Sequence, residues 1–358
     1  MNRFAMEGGH LTRLVRGAAA LCRVAQRSVP RVVAGRPPTF ASWQIGVLIL
    51  VAVIHRRKSK CAQYRFLEGH RDHLLRHLQS VLHLQLLPSR ATYMRRYPDA
   101  HRLFAKAIDL GGRRALRAGV GDQSVVAVDK SMIAARGRVG CGRVGRQGRR
   151  RRGVDAEAGW GRSAHDGWVF GYSYEVVVCV GKRGNIVPLL ASADAANRSE
   201  HRSFAEKIPR LPPGVGQVLA DAGYDGSDLD HAIAYDSHGR RTRRRLVCPL
   251  IARGGMPAVG HQRRKGRRER CRQLRIRRAA FLNSTRGRRL YARRKETVEP
   301  FNAWLKHLFE LEDRVWHRGL DNNRTMILAA IFAYQQLQHL NHRLGNPDGC
   351  VQWILDTL

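Results

Sequence analysis

The chain has 358 residues, which is enough for one enzyme-sized domain and a smaller accessory domain. Lysine and arginine number 65 against 28 aspartate and glutamate, so the formal net charge is +37. Such an excess predicts a polyanionic partner, nucleic acid above all, bound through salt-sensitive phosphate contacts. The seven cysteines form no Cys-x-x-Cys pair, which argues against a zinc ribbon or a thioredoxin-like motif.

The first third of the chain is basic and then helical. Residues 1–40 lack a regular apolar pattern and predict a flexible or weakly helical basic lead-in. Residues 41–119 carry apolar side chains at helical spacing and predict a small N-terminal helical domain with possible DNA binding. The most apolar run, residues 45–54, is too short to span a bilayer. We therefore expect no membrane association and a cytoplasmic, nucleoid-associated protein.

After residue 119 the pattern changes to strands alternating with helices. Strands are predicted at residues 124–128, 168–180, 186–190, 217–220 and 246–249, and helices at 199–208 and 226–235. A long helix follows, and the last helix, 325–342, closes at Gly345. This order predicts an α/β fold, a ribonuclease H-like mixed five-stranded sheet flanked by helices, over residues 120–345. Residues 346–358 are predicted to be a C-terminal tail.

Two basic tracts interrupt this domain. Residues 136–154 and 253–278 are rich in arginine and are predicted to be solvated loops, or segments that DNA orders. Their place beside the acidic residues described next favours a role in DNA binding.

Three acidic residues stand at positions that suit metal chemistry. Asp129 and Asp221 each end an apolar strand, so their side chains should meet at one edge of the sheet if those strands are neighbours. Glu299 precedes Pro300, which predicts that Glu299 starts a helix. Asp225 competes with Asp221 but is better interpreted as a helix N-cap. Carboxylates so gathered would bind divalent cations for phosphoryl transfer.

The sequence around these acids resembles a known family. Residues 291–306 are similar to the Tyr-Arg-Glu-Lys signature of DDE-type insertion-sequence transposases of the IS4/IS5 kind. Residues 220–225 resemble the family's second-aspartate motif and residues 126–129 its first. The three motifs occur in the family's order, and the resemblance extends from about residue 43 to the C-terminus.

This resemblance implies both a reaction and its residues. It implies an enzyme that cleaves DNA at the transposon ends and joins the freed 3′-hydroxyl to target DNA, with two Mg²⁺ or Mn²⁺ ions per site. Asp129, Asp221 and Glu299 would be the catalytic metal ligands. The residues that would hold transposon-end phosphates are Tyr291, Arg294 and Lys306, with Lys295 as the alternative to Arg294 because only Lys295 has the family's spacing to Glu299. The partners would be double-stranded DNA, both terminal repeats and target, and a second copy of the chain in a homodimer on DNA.

Two other functions remain open at this point. A catalytically decayed DNA-binding protein, or a repressor of its own element, would explain the positive charge and would keep salt-sensitive DNA binding without cleavage. An RNA-binding or ribosome-associated protein would also explain the charge. Only the transposase hypothesis explains the order of the acids.

Overall fold

The computed structural model describes residues 9–29, 39–137, 139, 153–163, 166–181, 185–251, 266–346 and 349–358. Most of the basic tract 136–154, and residues 252–265, lie outside these described residues. The strands are β1 Gly121–Ala134, β2 Gly159–Ser163, β3 Gly167–Gly181, β4 Val187–Ala195, β5 Gln217–Leu219 and β6 Arg245–Val247. The helices are α1 Gly9–Arg27, α2 Ser42–Ile54, α3 Lys60–Gly69, α4 Arg71–Leu82, α5 Arg90–Arg96, α6 Ala100–Arg117, α7 Glu200–Ala205, α8 Ser227–Ala234, α9 Arg267–Asn283, α10 Thr285–Ala292, α11 Lys295–Leu308, α12 Leu320–Arg343 and α13 Gln352–Thr357.

The sheet is mixed, and its topology confirms the predicted ribonuclease H-like fold. β3 pairs antiparallel with β1, β2 and β4, while β1, β5 and β6 pair in parallel. The five predicted strands are present. The sequence analysis missed β2, whose five residues, Gly-Trp-Gly-Arg-Ser, have no β-branched side chain. The parallel half of the sheet carries the ends of β1 and β5 to one edge.

Helices cover both faces of the sheet. One apolar core joins the face of Val125 and Ala127 to α11, α12 and the N-terminal helices. A second core joins the face of Val126 and Val128 to α7 and α8. α2 is buried along almost its whole length, as its apolar run predicts. No helix among the described residues is long and apolar enough to cross a membrane.

The N-terminal segment is better ordered than predicted. Residues 9–27, part of the lead-in that we expected to be flexible or weakly helical, form the ordered helix α1, which packs on α2, α6 and α12. Its apolar side chains repeat every three or four residues and are buried: Leu14, Val15, Ala18, Ala19, Cys22 and Ala25. Four of these side chains are small, so the apolar face of α1 is hard to recognise in a sequence that also carries basic residues.

The second basic tract is also partly helical. Residues 267–283 form α9, which corrects the loop predicted for 253–278 in its described half. Arg278 on α9 forms ion pairs with Asp225 and Asp230, and all three side chains are buried. Asp225 is therefore an anchor for α9 and not the N-cap of α8, which is Gly226. The predicted tail contains α13, whose buried Ile354 belongs to the main core.

Candidate active site

Two aspartates lie at the same level of two neighbouring strands. β1 and β5 pair in parallel, with Ala127 opposite Leu219. Two residues further along each chain lie Asp129 and Asp221, so both carboxylates stand at one edge of the sheet. Since side chains alternate between the two faces, Asp129 shares the face of Ala127, on which α11 packs.

Both oxygens of Asp129 accept hydrogen bonds from the α11 region. Arg294, which precedes α11, donates from Nη2 to Oδ1 at 2.6 Å, and Asn302 donates from Nδ2 to Oδ2 at 2.7 Å. Tyr174 of β3 donates from Oη to Asn302 Oδ1 at 3.0 Å, which fixes the orientation of that amide. The side chains of Asp129 and Arg294 are only 15% and 11% exposed. This contact therefore lies in a partly desolvated environment, where charge interactions are strong.

Burial dominates the electrostatics at Asp129. Burial raises the pKa of the Asp129 carboxyl, the Arg294 guanidinium opposes this rise and the nearby charge of Asp221 adds to it, so that the pKa lies at about 6. The arginine therefore offsets only part of the cost of ionising this carboxyl. A further cation bound at the carboxylate would favour its ionised form.

Asp221 combines a turn role with a position beside the same guanidinium. Its Oδ1 accepts a hydrogen bond from the backbone N–H of Gly223 at 2.9 Å and caps the one-turn 3-10 helix Ala222–Tyr224. Its Oδ2 lies 4.0 Å from Arg294 Nη2, and its side chain is 44% exposed. One guanidinium thus faces both aspartates.

A buried polar network supports the turn that carries Asp221. Tyr224, at the end of that turn, donates from Oη to Glu175 Oε2 of β3 at 3.0 Å. Lys207 donates from Nζ to Glu175 Oε1 at 2.7 Å, and both side chains are at most 3% exposed. Breaking one partner of a buried pair leaves an uncompensated charge, so this network holds the turn against β3.

Glu299 does not join the two aspartates in this conformation. It is exposed on α11, one turn before Asn302, whose amide occupies the place beside Asp129. The described part of the chain contains no group of three or more His, Cys, Asp and Glu side chains arranged to hold a metal ion. The predicted meeting of three carboxylates is therefore absent from the described residues.

The start of α11 also differs from the prediction. The helix begins at Lys295, because the backbone N–H of Val298 already bonds to the carbonyl of Arg294 at 2.9 Å. Pro300 lies within the helix and not at its first position. Proline has no N–H, so the carbonyl of Glu296 has no helical donor at this point. The glutamate before Pro300 is thus placed on the side of a continuous helix.

A third acid near Asp221 was missed by sequence reasoning. Gly223 lies between Glu200 and Asp221: a β-carbon built on this glycine would collide with the Glu200 carboxylate and approach Asp221 Oδ1 to 3.0 Å. Burial and the charge of Asp221 raise the pKa of Glu200 to about 7, although the nearby Lys130 opposes this rise. In the sequence Glu200 looks like an ordinary acid in the first turn of a helix, so no local signal identifies it.

The four predicted DNA-binding residues lie at different depths. Arg294 points inward to Asp129, whereas Lys295 is exposed at the start of α11. Tyr291 is half-buried, and burial raises the pKa of its hydroxyl. Lys306 follows Asn302 by one turn, so it lies on the side of α11 that faces Asp129. Burial lowers the pKa of its ammonium, while the charges of Asp166 and Asp129 oppose that shift. In this conformation a polyanion can reach Lys295, Tyr291 and Lys306, whereas Arg294 is bound to Asp129.

The donor chemistry at the site fits a divalent cation. Carboxylate oxygens are the ligands that Mg²⁺ and Mn²⁺ prefer. Asp129 and Asp221 face the guanidinium of Arg294, and Glu200 lies beside Asp221 with the charge of Lys130 nearby. Burial and mutual repulsion raise the pKa of Asp129 and of Glu200. Asp129 and Asp221 therefore have the chemistry to hold the ion, whereas the third ligand is not set by this conformation.

The comparison with known families agrees with this geometry. A family model described as "Transposase DDE domain" matches residues 120–335, more than half of the chain. DDE transposase domains act on DNA and generally use divalent metal ions. No curated protein matches the chain in sequence. The matched residues span the whole sheet and end within α12, so the chain belongs to the transposase DDE domain family.

Proposed function

We propose that the chain is a DNA transposase that cleaves phosphodiester bonds at the ends of its own element and joins the freed 3′-hydroxyl to target DNA. The observation that carries this proposal is the pair Asp129 and Asp221, which lie level with each other on adjacent parallel strands and face the same guanidinium. The family match supports the same conclusion independently of that geometry.

Asp129 and Asp221 would hold the divalent ions, two Mg²⁺ or Mn²⁺ per site. Such ions, when bound, neutralise charge on the reacting phosphate and favour ionisation of the attacking hydroxyl. Glu299 remains our proposed third ligand, since it lies one turn from Asn302 and a change of rotamer and a small rotation of α11 would turn it toward Asp129. Glu200 is the alternative, because it already lies beside Asp221 across Gly223.

The remaining residues of the site would bind and orient the DNA. Lys306, on the Asp129 side of α11, and the half-buried Tyr291 would hold phosphates of the transposon end near the acids. The exposed cations of α10 and the start of α11 continue this basic surface away from the acids: Arg286, Arg288, Arg289 and Lys295. The DNA carries one negative charge per phosphate, so these contacts would position the backbone without reading sequence. We further propose that two copies act together, one at each end.

A plasmid carrying the native flanks of the gene tests the proposal. Purified protein and Mg²⁺ should cleave at the junctions of the element, and Asp221→Asn should lower the rate by roughly a hundredfold or more, as expected when a group that organises transition-state charge is removed. Asp228→Asn is the matched control, because Asp228 is 83% exposed on α8 and pairs only at the surface.

The outcomes separate the candidate functions. Equal cleavage by the Asp221→Asn variant would remove this residue from the mechanism. Salt-sensitive DNA binding with no Mg²⁺-dependent cleavage by the unmodified chain would contradict the enzyme and leave a DNA-binding protein. Comparing Glu299→Gln with Glu200→Gln in the same assay identifies the third ligand.

A further inference from the structure

We propose that Arg294 is an internal counter-ion of the acid pair, which a divalent metal displaces and which then becomes available to bind DNA. The metal and DNA would in this way strengthen each other's binding. This inference rests on the proposed function, because it concerns the same two aspartates.

Arg294 lies where a divalent metal ion bound by the two aspartates would lie. Its Nη2 donates to Asp129 Oδ1 at 2.6 Å and lies 4.0 Å from Asp221 Oδ2. Its Nε, by contrast, is buried and has no hydrogen-bond partner among the described residues. The side chain is thus drawn to the acids by charge and not by a complete set of hydrogen bonds.

A metal ion and Arg294 would compete for the same oxygens. Oδ1 of Asp129 is occupied by the guanidinium, and an arginine cannot lose its proton to make room for a second cation. Two cations a few ångström apart in a partly desolvated site repel each other strongly. Asn302, which donates to the other oxygen of Asp129, carries no net charge and so opposes the ion less than the guanidinium does.

The released guanidinium would remain close to the bound DNA. Arg294 precedes α11 directly and lies between the half-buried Tyr291 and the exposed Lys295. A small change of its side chain would direct the planar donor fork toward a phosphate, a group that arginine binds in bidentate fashion. Metal binding would therefore add one phosphate contact, and DNA that takes up Arg294 would free the acids for metal.

Mn²⁺ binding to the full chain without DNA tests the first part of the proposal, that a metal ion displaces Arg294. The fraction of free Mn²⁺ is measured by electron paramagnetic resonance for the unmodified chain, Arg294→Gln, Arg294→Lys and the control Arg293→Gln. Arg293 makes no side-chain hydrogen bond or ion pair among the described residues. We expect Arg294→Gln to bind Mn²⁺ roughly 5- to 150-fold more tightly, the usual range of coupling between sites, and Arg293→Gln to be unchanged.

The sign of this effect separates a counter-ion from a structural role. If Arg294 only held the site together, Arg294→Gln would weaken Mn²⁺ binding, and that result would overturn the proposal. Unchanged binding would overturn it as well. Arg294→Lys, which keeps the charge, should stay close to the unmodified chain, and circular dichroism of each variant shows that it is folded. Absence of saturable Mn²⁺ binding in every variant would instead contradict the proposed function.

DNA binding tests the second part of the proposal, that the displaced Arg294 contacts DNA. The affinity for a short fluorescein-labelled duplex is measured with and without saturating Mn²⁺. By reciprocity, Mn²⁺ should tighten DNA binding by the unmodified chain and by Arg293→Gln, and this gain should shrink in Arg294→Gln. An equal gain in all three proteins would overturn the coupling through Arg294.

Discussion

Replacing Asp129 by asparagine should change how the stability of the chain depends on pH. Burial holds the pKa of this carboxyl at about 6 in the folded chain, against 3.8 for an ordinary aspartate. The folded state therefore binds this proton more tightly than the unfolded state does. The contribution of Asp129 to stability is fully present below about pH 3.8 and is lost as the pH rises through about 6.

The rise in pKa from 3.8 to about 6 corresponds to about 3 kcal/mol of unfolding free energy. Asparagine has no charge to bury, so Asp129→Asn should gain stability relative to the unmodified chain by this order of magnitude between pH 4 and pH 7. The gain is a difference between two proteins at each pH. Buried histidines with lowered pKa, such as His55 and His317, act in the opposite direction in both proteins and cancel.

Urea unfolding without divalent metal, at several pH values, measures this difference. The matched control is Asp228→Asn, an exposed aspartate whose replacement should leave the pH dependence unchanged. A difference between Asp129→Asn and the unmodified chain that stays constant from pH 4 to pH 7 would refute the reasoning. So would a difference that shifts in favour of the aspartate as the pH rises.

Three further outcomes follow from the packing and the charge. Arg278→Met removes the ion-pair partner of the buried Asp230 and leaves the buried Asp225 with Arg275 alone. It should lower the free energy of unfolding by about 3–5 kcal/mol in urea titrations, whereas the exposed Arg277→Met should change it by no more than about 0.5 kcal/mol. Gly171→Ala places a β-carbon against the backbone of the neighbouring strand and should lower the melting temperature, since this backbone cannot move aside. The affinity for duplex DNA should fall steeply and linearly on a logarithmic plot as salt rises, and a flat dependence would contradict phosphate binding.

The position of the two aspartates at the ends of strands can be predicted from the sequence, because the signal is local. Asp129 and Asp221 follow short apolar runs, and each run becomes a buried strand. The hairpin and the closing helix α12 are also predictable, since Gly345 has the positive φ of 82° that ends a helix. The local pattern alone does not show that the two strands are adjacent. Their adjacency follows from the sheet topology, which the alternation of strands and helices already favours.

Which acid lies beside the two aspartates in this conformation cannot be predicted from the sequence, because it depends on tertiary contacts. Glu299 and Asn302 lie on the same side of α11, and only the packing of that helix decides which of them faces Asp129. Glu200 reaches the site through the close approach that Gly223 allows. Neither relation leaves a pattern in the local sequence.

The same reason explains the two helices, α1 and α9, whose order the sequence did not predict. α9 carries many arginines, and it is stable beside the sheet because aspartates distant in sequence neutralise Arg275 and Arg278. The apolar face of α1 is built mainly from small residues and is buried only when α2, α6 and α12 surround it. Charge and composition favour disorder for both segments, and long-range contacts reverse that preference.

The most direct test of the acid pair is to locate the metal on the chain itself. Fe²⁺ replaces Mg²⁺ in the folded protein, and ascorbate with peroxide then produces hydroxyl radicals that cut the backbone beside the bound ion. Mass spectrometry of the fragments should place the cuts around Asp129 and Asp221, and Asp221→Asn should abolish them. Cuts that fall elsewhere, or that persist in this variant, would contradict a metal site built on these two aspartates.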